Sequence, residues 1–240
     1  MNIRKGKRWG NWSRRGPVLC LMMGVLLYSL VTAVDGEAEV YHSVPNETKC
    51  IALTFDDGPH PHQTKRILDI LDTYGIKATF FMIGVNVENY PEAAREVLAR
   101  GHEVGNHTYS HCHLKQHGEE KLEEELRRCQ ETLERICSYR PHLFRPPEGY
   151  VSDYLCQCCN RASYRVIHWS VDTRDWEIKD AEKISQKVLD QVRSGDIVLM
   201  HDYVAKSQTP EALEILLPKL LDQGYRFVTV GELLNGEAGG

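Results

Sequence analysis

The first 34 residues contain no aspartate and no glutamate, although six basic side chains stand there: Arg4, Lys5, Lys7, Arg8, Arg14 and Arg15. The formal charge of −5, from 29 Lys and Arg against 34 Asp and Glu, therefore averages two unlike parts. A leader of +6 precedes 206 residues with 23 basic and 34 acidic side chains, a net of −11. Phosphate binding needs a basic face, so this acidic body is assigned no nucleic-acid partner. There is no internal repeat and no low-complexity tract, and 42% hydrophobic content excludes disorder, collagen and a pure coiled coil. Cys156, Cys158 and Cys159 lack a second cysteine pair at zinc-finger spacing. Of the eight cysteines, Cys20 sits in an apolar stretch, and the seven left cannot all pair internally. Buried or half-exposed thiols in a helix are the favoured reading, with a disulfide or metal role as the alternative.

What the N-terminus does have is residues 17–34, eighteen positions without a charge, dominated by Val, Leu and Met and just long enough to span a bilayer. The positive flank belongs in the cytoplasm, which places everything after Asp35 on the outer side of a cell membrane. An uncleaved signal anchor is favoured. A signal peptide cut after Ala33, giving a secreted protein, is the alternative, because Val31-Thr32-Ala33 offers small or medium residues to a peptidase. The organisation read from this is a basic cytoplasmic leader (1–16), an anchor or signal (17–34), a polar tether (35–49) and a folded domain (50–236). No obligate protein partner is evident.

Within the body, apolar β-rich runs at 51–55, 78–83, 102–104, 143–144, 165–168, 197–200 and 226–230 alternate with helical periods. The helical periods are 64–74, 91–100, 119–137, 181–192 and 211–221, and Gly75, Gly101, Gly195 and Gly224 stand at or near four of their C-caps. Regular alternation predicts a parallel sheet in a single α/β domain, either a barrel or a doubly wound sheet. The helix at 119–137 places its acids first and its arginines later, as the helix dipole favours, and reads as a solvated face rather than a site.

In parallel α/β folds the reactive groups gather at the C-terminal ends of strands. Nearly every such end here is polar. The first gives Asp56-Asp57-Gly58-Pro59, adjacent acids that point in different directions, so one can bind a metal while the other stays free as a base. The third gives His107-Thr108-Tyr109-Ser110-His111. Two histidines at i and i+4 share a face if the loop enters a helical turn, and with one carboxylate they make an open zinc site. Later ends carry Arg145-Pro146-Pro147-Glu148, Asp172-Thr173-Arg174-Asp175-Trp176 and Leu199-Met200-His201. Each alone has a bland reading as a turn, a stiff loop or an isolated histidine. Their placement at successive ends of one sheet is what departs from chance.

Taken in order, TFDDGP, HTYSH, RPPEG, DTRDW and LMH resemble the five motifs of the polysaccharide deacetylases, carbohydrate esterase family four with the NodB-homology domain. The resemblance covers residues 50–234 and implies a deformed (β/α) barrel of about seven parallel strands, here preceded by the N-terminal helix. It implies Asp57, His107 and His111 as metal ligands, Asp56 as base, Arg145 as the residue orienting Asp56, and His201 as general acid tuned by Asp172. The main chain near Glu148 would face the oxyanion, and Trp176 and Leu199 would line the acetyl pocket. Many members have an aromatic residue where Glu148 stands, and Tyr150 is the candidate for a displaced aromatic surface. The implied cofactor is a divalent metal, Zn2+ first, with Co2+ or another ion as alternatives. The implied reaction is removal of N-acetyl groups from an extracytoplasmic glycan, peptidoglycan foremost; chitin oligomers or O-acetylated xylan are alternative substrates. A catalytically silent glycan-binding domain is the third reading, against which the five motifs stand complete.

Overall fold

The computed structural model describes residues 39–117, 119–203 and 207–236, so the leader and the stretch 17–34, with the readings made of them, lie outside the described residues. Among the described residues no helix is long and apolar enough to cross a membrane. The strands are β1 (Val40–Tyr41), β2 (Cys50–Asp56), β3 (Thr79–Met82), β4 (Glu103–Asn106), β5 (Leu143–Phe144), β6 (Arg165–Ile167), β7 (Val171–Asp172), β8 (Ile197–His201) and β9 (Arg226–Phe227). The helices are α1 (Gln63–Thr73), α2 (Gly84–Asn89), α3 (Pro91–Ala99), α4 (Glu119–Cys137), α5 (Asp153–Arg161), α6 (Ala181–Gln191), α7 (Thr209–Asp222) and α8 (Val230–Asn235). All seven expected strand positions hold a strand, and β1 and β7 are additions.

The sheet runs β1-β6-β5-β4-β3-β2-β8-β7 with every pairing parallel, and β9 joins the start of β2. This order decides between the two architectures that alternation left open. Strands β2 to β6 lie side by side in chain order, as barrel staves do, while β8 and β7 continue on the other side of β2. The result is a curled, incompletely closed sheet, consistent with a deformed (β/α) barrel. All seven residues of β2 are buried, as expected for a parallel strand covered on both faces. Helix α1 packs Ile67, Leu68, Ile70 and Leu71 into the core. It ends at Gly75, whose φ of 64° is a conformation that a side-chain-bearing residue adopts only with strain.

Two expectations are corrected. Residues 35–49 do not serve only as a tether: Val40 and Tyr41 pair with Val166 and Ile167, and Val44 N donates to Gly195 O at 2.8 Å. Val40 and Tyr41 become a strand through their backbone pairing with β6, which lies far away in sequence. The run at 226–230 stops being a strand at Phe227, because Thr229 and Glu232 form a capping box that starts α8. Cys158 and Cys159 are buried thiols in α5, and burial pushes both thiol pKa values up, which keeps them protonated and inert.

Candidate active site

The segments at the C-terminal ends of β2, β4, β5, β6, β7 and β8 surround a pocket of about 500 Å³. Nine of the eleven expected side chains line it: Asp56, Asp57, His107, His111, Glu148, Asp172, Trp176, Leu199 and His201. Trp169 is the tenth lining residue.

Asp56 is the last residue of β2, and Asp57 turns out of the strand at φ 74°, so the neighbouring carboxylates part. Asp56 Oδ1 accepts from Arg145 Nη1 at 2.8 Å. Arg145 is fully buried, and it also donates to Thr54 Oγ1 at 2.7 Å and to His168 O at 2.8 Å. Its guanidinium lies 4.2 Å from the centre of the Phe81 ring. A buried ion pair of this kind fixes direction more than it adds stability, since losing one partner strands the other at a cost of about 3–5 kcal/mol. Arg145 is therefore behind Asp56 rather than in the pocket, as its expected orienting task requires.

His107 follows β4, and its Nδ1–H donates to Arg145 O at 2.7 Å, which leaves Nε2 to face the pocket. No helical turn joins His107 to His111, the condition on which their i and i+4 spacing would have put them on one face. Thr108 and His111 adopt φ of 66° and 52° instead, and Thr108 Oγ1 accepts from His111 N at 3.1 Å, so the loop folds back by two left-handed residues. His107 Nε2 lies 3.4 Å and His111 Nε2 3.3 Å from Asp57 Oδ1. Burial alone would raise the Asp57 pKa, but the His107 imidazole beside it, with His201 and His111 nearby, brings it down to about 2. Asp57 Oδ1 is buried without a hydrogen-bond partner, and one potential ligand atom from each of the three residues lies within 4.8 Å of the others. One carboxylate and two imidazoles fit a divalent transition metal.

Opposite stands His201, at the end of β8. The carboxylate that holds it is Asp175, not Asp172. Asp175 Oδ1 is 2.7 Å from His201 Nδ1, and Oδ2 accepts from His201 N at 2.8 Å and from Thr209 Oγ1 at 2.6 Å. Asp172 belongs to β7 and its Oδ1 accepts from Arg174 N at 2.9 Å; Arg174 at φ 55° then reverses the chain and delivers Asp175, fully buried, beneath the imidazole. Two aspartates three residues apart look alike until that turn is known. Burial opposes a charge on His201, but the Asp175 bond and the charges of Asp175, Asp56 and Asp57 prevail and raise its pKa to about 9.

The rim departs from expectation at one residue. Glu148 pairs with His113 at 2.8 Å, both more than half exposed, an arrangement that adds little stability. Tyr150 packs on the cluster that includes Leu155, Cys159 and Val166 and does not line the pocket. The aromatic wall is Trp169, stacked on His168 with ring centroids 5.1 Å apart. Gly149 lies close beneath it, since a Cβ there would come within 2.9 Å of Trp169 Cη2. Trp169 stands directly after the run 165–168, and that strand-end position was the available signal.

A parallel half-barrel with a carboxylate–imidazole cluster and a buffered histidine at its C-terminal rim defines a polysaccharide deacetylase fold. The chain belongs to the polysaccharide deacetylase family, whose profile matches residues 43–167. It is 46% identical over 194 residues to a peptidoglycan-N-acetylglucosamine deacetylase of Bacillus cereus, covering 80% of this chain and 91% of that one. It is 40% identical over 189 residues to the peptidoglycan-N-acetylmuramic acid deacetylase PdaC of Bacillus subtilis, covering 79% of this chain and only 39% of PdaC. Among solved structures, the Bc1960 peptidoglycan N-acetylglucosamine deacetylase superposes with a TM-score of 0.79 at 34% identity, over 81% of this chain and 92% of that one.

Proposed function

We propose that this polysaccharide deacetylase removes N-acetyl groups from peptidoglycan amino sugars in a metal-dependent reaction outside the cytoplasm. One observation carries the reading: Asp57, His107 and His111 converge on one side of a single pocket, with Asp56 clamped by Arg145 beside them and His201 clamped by Asp175 across from them. Asp57, His107 and His111 would hold a divalent ion, which would serve as a Lewis acid for the acetyl carbonyl and lower the pKa of water. Asp56, fixed in direction by Arg145, accepts the proton of the attacking water. His201 gives a proton to the amine nitrogen, a poor leaving group until protonated, and Asp175 stabilises the imidazolium from which that proton comes. Trp176 and Leu199 shape the space for the acetyl methyl, and Trp169 offers its ring to the sugar. A polymeric substrate is further favoured by where apolar groups are exposed. Among the described residues, three of the four exposed large hydrophobics, Val151, Trp176 and Tyr203, lie in segments at the C-terminal end of the sheet.

Residues 17–34 are proposed to carry the domain to the outer face of the membrane, as an anchor or as a signal cut near Ala33. The test of the activity is acetate release by the full chain from peptidoglycan, chitin oligomers and acetylated xylan, each with and without chelator. Release from peptidoglycan that stops on chelation and returns with Zn2+ or Co2+ is expected. Release indifferent to chelator would overturn the metal-dependent reading, and preference for chitin oligomers or xylan would reassign the substrate.

A further inference from the structure

The helix α4 begins with acids that pattern as a solvated face, yet Glu125 has no solvent exposure. Its two oxygens are spent on one residue of the loop between the histidines. Ser110 N donates to Glu125 Oε2 at 2.7 Å, and Ser110 Oγ donates to Oε1 at 2.9 Å. Lys121 Nζ, one helical turn earlier, lies 3.0 Å from Oε1 and compensates the buried charge. The helix that carries Glu125 is itself tied to β4, which leads into the loop, and to the neighbouring β3: Asn106 Nδ2 donates to Leu126 O at 3.0 Å, and Cys129 Sγ to Met82 O at 3.5 Å.

We infer that Glu125 is a positioning residue for the metal site, acting through Ser110 to hold His111 within reach of Asp57. His107 needs no such help, because its ring is bonded to Arg145 O. His111 has a different problem. It is reached through Thr108 at φ 66° and is itself at φ 52°, conformations that residues with side chains leave readily unless tertiary contacts impose them. The contacts that impose them are the Thr108 hydroxyl on His111 N and the two-oxygen grip of Glu125 on Ser110. A charged acceptor on a backbone N–H is a stronger tether than a neutral one, and both ends here are anchored. Removing it frees the residue before His111, an exposed serine whose N–H loses its charged acceptor. The expected consequence is a metal site with a loosened third ligand.

This inference rests on Asp57, His107 and His111 being a metal site, so the first measurement is Co2+ binding by the full wild-type chain, read as a dissociation constant and a visible absorption spectrum. A wild-type chain that binds no Co2+ would overturn that reading and this one together. Given wild-type binding, Glu125→Ala is expected to weaken Co2+ affinity by about 10- to 100-fold, the range for lost outer-shell support of a ligand, and to alter the Co2+ bands. Ser110→Ala, which keeps the N–H bond, should weaken it less, and the double variant should be no worse than Glu125→Ala alone. Activity of Glu125→Ala should return toward wild type at saturating metal. The melting temperature of the metal-free chains controls for folding, and if Glu125→Ala does not fold, the isosteric Glu125→Gln and Ser110→Ala carry the same comparison. A folded Glu125→Gln or Glu125→Ala with wild-type affinity and spectrum, or losses that simply add in the double variant, would sink the inference.

Discussion

Asp56 and Asp57 are adjacent, chemically identical and assigned opposite tasks, and what separates them is the company each keeps. Asp56 faces a buried guanidinium, while Asp57 presents an unpartnered oxygen to two imidazoles. Asp56→Asn should therefore retain bound metal and lower deacetylation by about 10²- to 10⁴-fold, the usual worth of a general base, whereas Asp57→Ala should lose metal and activity together. Metal content by elemental analysis beside acetate release separates the two, and full turnover in Asp56→Asn would remove it as base. His201 makes a pH statement. In the metal-free chain its pKa stands at about 9 against an ordinary 6.5, raised by the Asp175 bond and the nearby carboxylates against the effect of burial. A raised folded-state value contributes stability that is complete below 6.5 and is lost as pH climbs through 9. Asp175→Asn should flatten that alkaline decline in melting temperature measured under chelator and slow amide cleavage at least about a hundredfold. A decline as steep as the parent's would return the tuning of His201 to other groups, Asp172 among them.

At the scale of elements, the seam between β2 and β8 sets the spacing between the proposed base and the proposed acid. Asp56 pairs with His201 in register, and the ladder continues as Asp202 N donates to Asp56 O at 3.1 Å. The Asp202 side chain then turns under the β2 loop, where Thr64 Oγ1 donates to it at 2.5 Å and Gly58 leaves it room. A Cβ on Gly58 would stand 2.2 Å from Asp202 Oδ2, so Gly58→Ala must displace either that carboxyl or the loop bearing Asp57. The expected cost is about 1–3 kcal/mol, as for overpacking elsewhere, read as a lower melting temperature with weaker metal binding. Unchanged values for both would mean that Asp202 moves aside freely. Elements of this kind were legible in sequence to different depths. Strand β2 showed itself as a run broken only by Thr54 before Asp56, because parallel strands are buried on both faces. Strands β1 and β7 did not, and shortness alone is not the reason, since the equally short β5 falls in an expected run. The five polar strand ends were readable as a set, but the turns inside them were not: Thr108, His111 and Arg174 take left-handed conformations without a glycine to announce them, and the turn at Arg174 is why Asp175 was passed over for Asp172. Glu125 was hidden for another reason. An acid among acids on an amphipathic helix looks solvated until the loop it grips is in place.

For the molecule as a whole, the stretch expected to be a mere tether is joined to the catalytic rim. Val40 and Tyr41 extend the sheet beside β6, Tyr41 O accepts from His168 N at 2.7 Å, and the His42 ring meets the His168 ring at 4.7 Å. His168 in turn receives Arg145 through its carbonyl and backs Trp169 with its ring. The route from residues 40–42 is thus two contacts long to the pocket wall at Trp169 and three to Asp56. A chain beginning at Cys50 would lose the β1 pairing, the Tyr41–His168 bond and the Val44–Gly195 bond. At about 1 kcal/mol for each of the two bonds, the loss is at least about 2 kcal/mol, or at least about 4–8 °C of melting temperature for a domain of this size. Its KM for glycan should rise more than its kcat falls, because His168, which backs Trp169, loses its contacts with Tyr41 and His42 while Asp57, His107 and His111 keep their own supports. His42→Ala isolates the second effect: the strand remains, so melting temperature should barely move while KM still rises. If the shortened chain matches the full one in both quantities, residues 39–49 are only a tether after all, and the −11 body can be separated from its +6 leader without consequence for the rim.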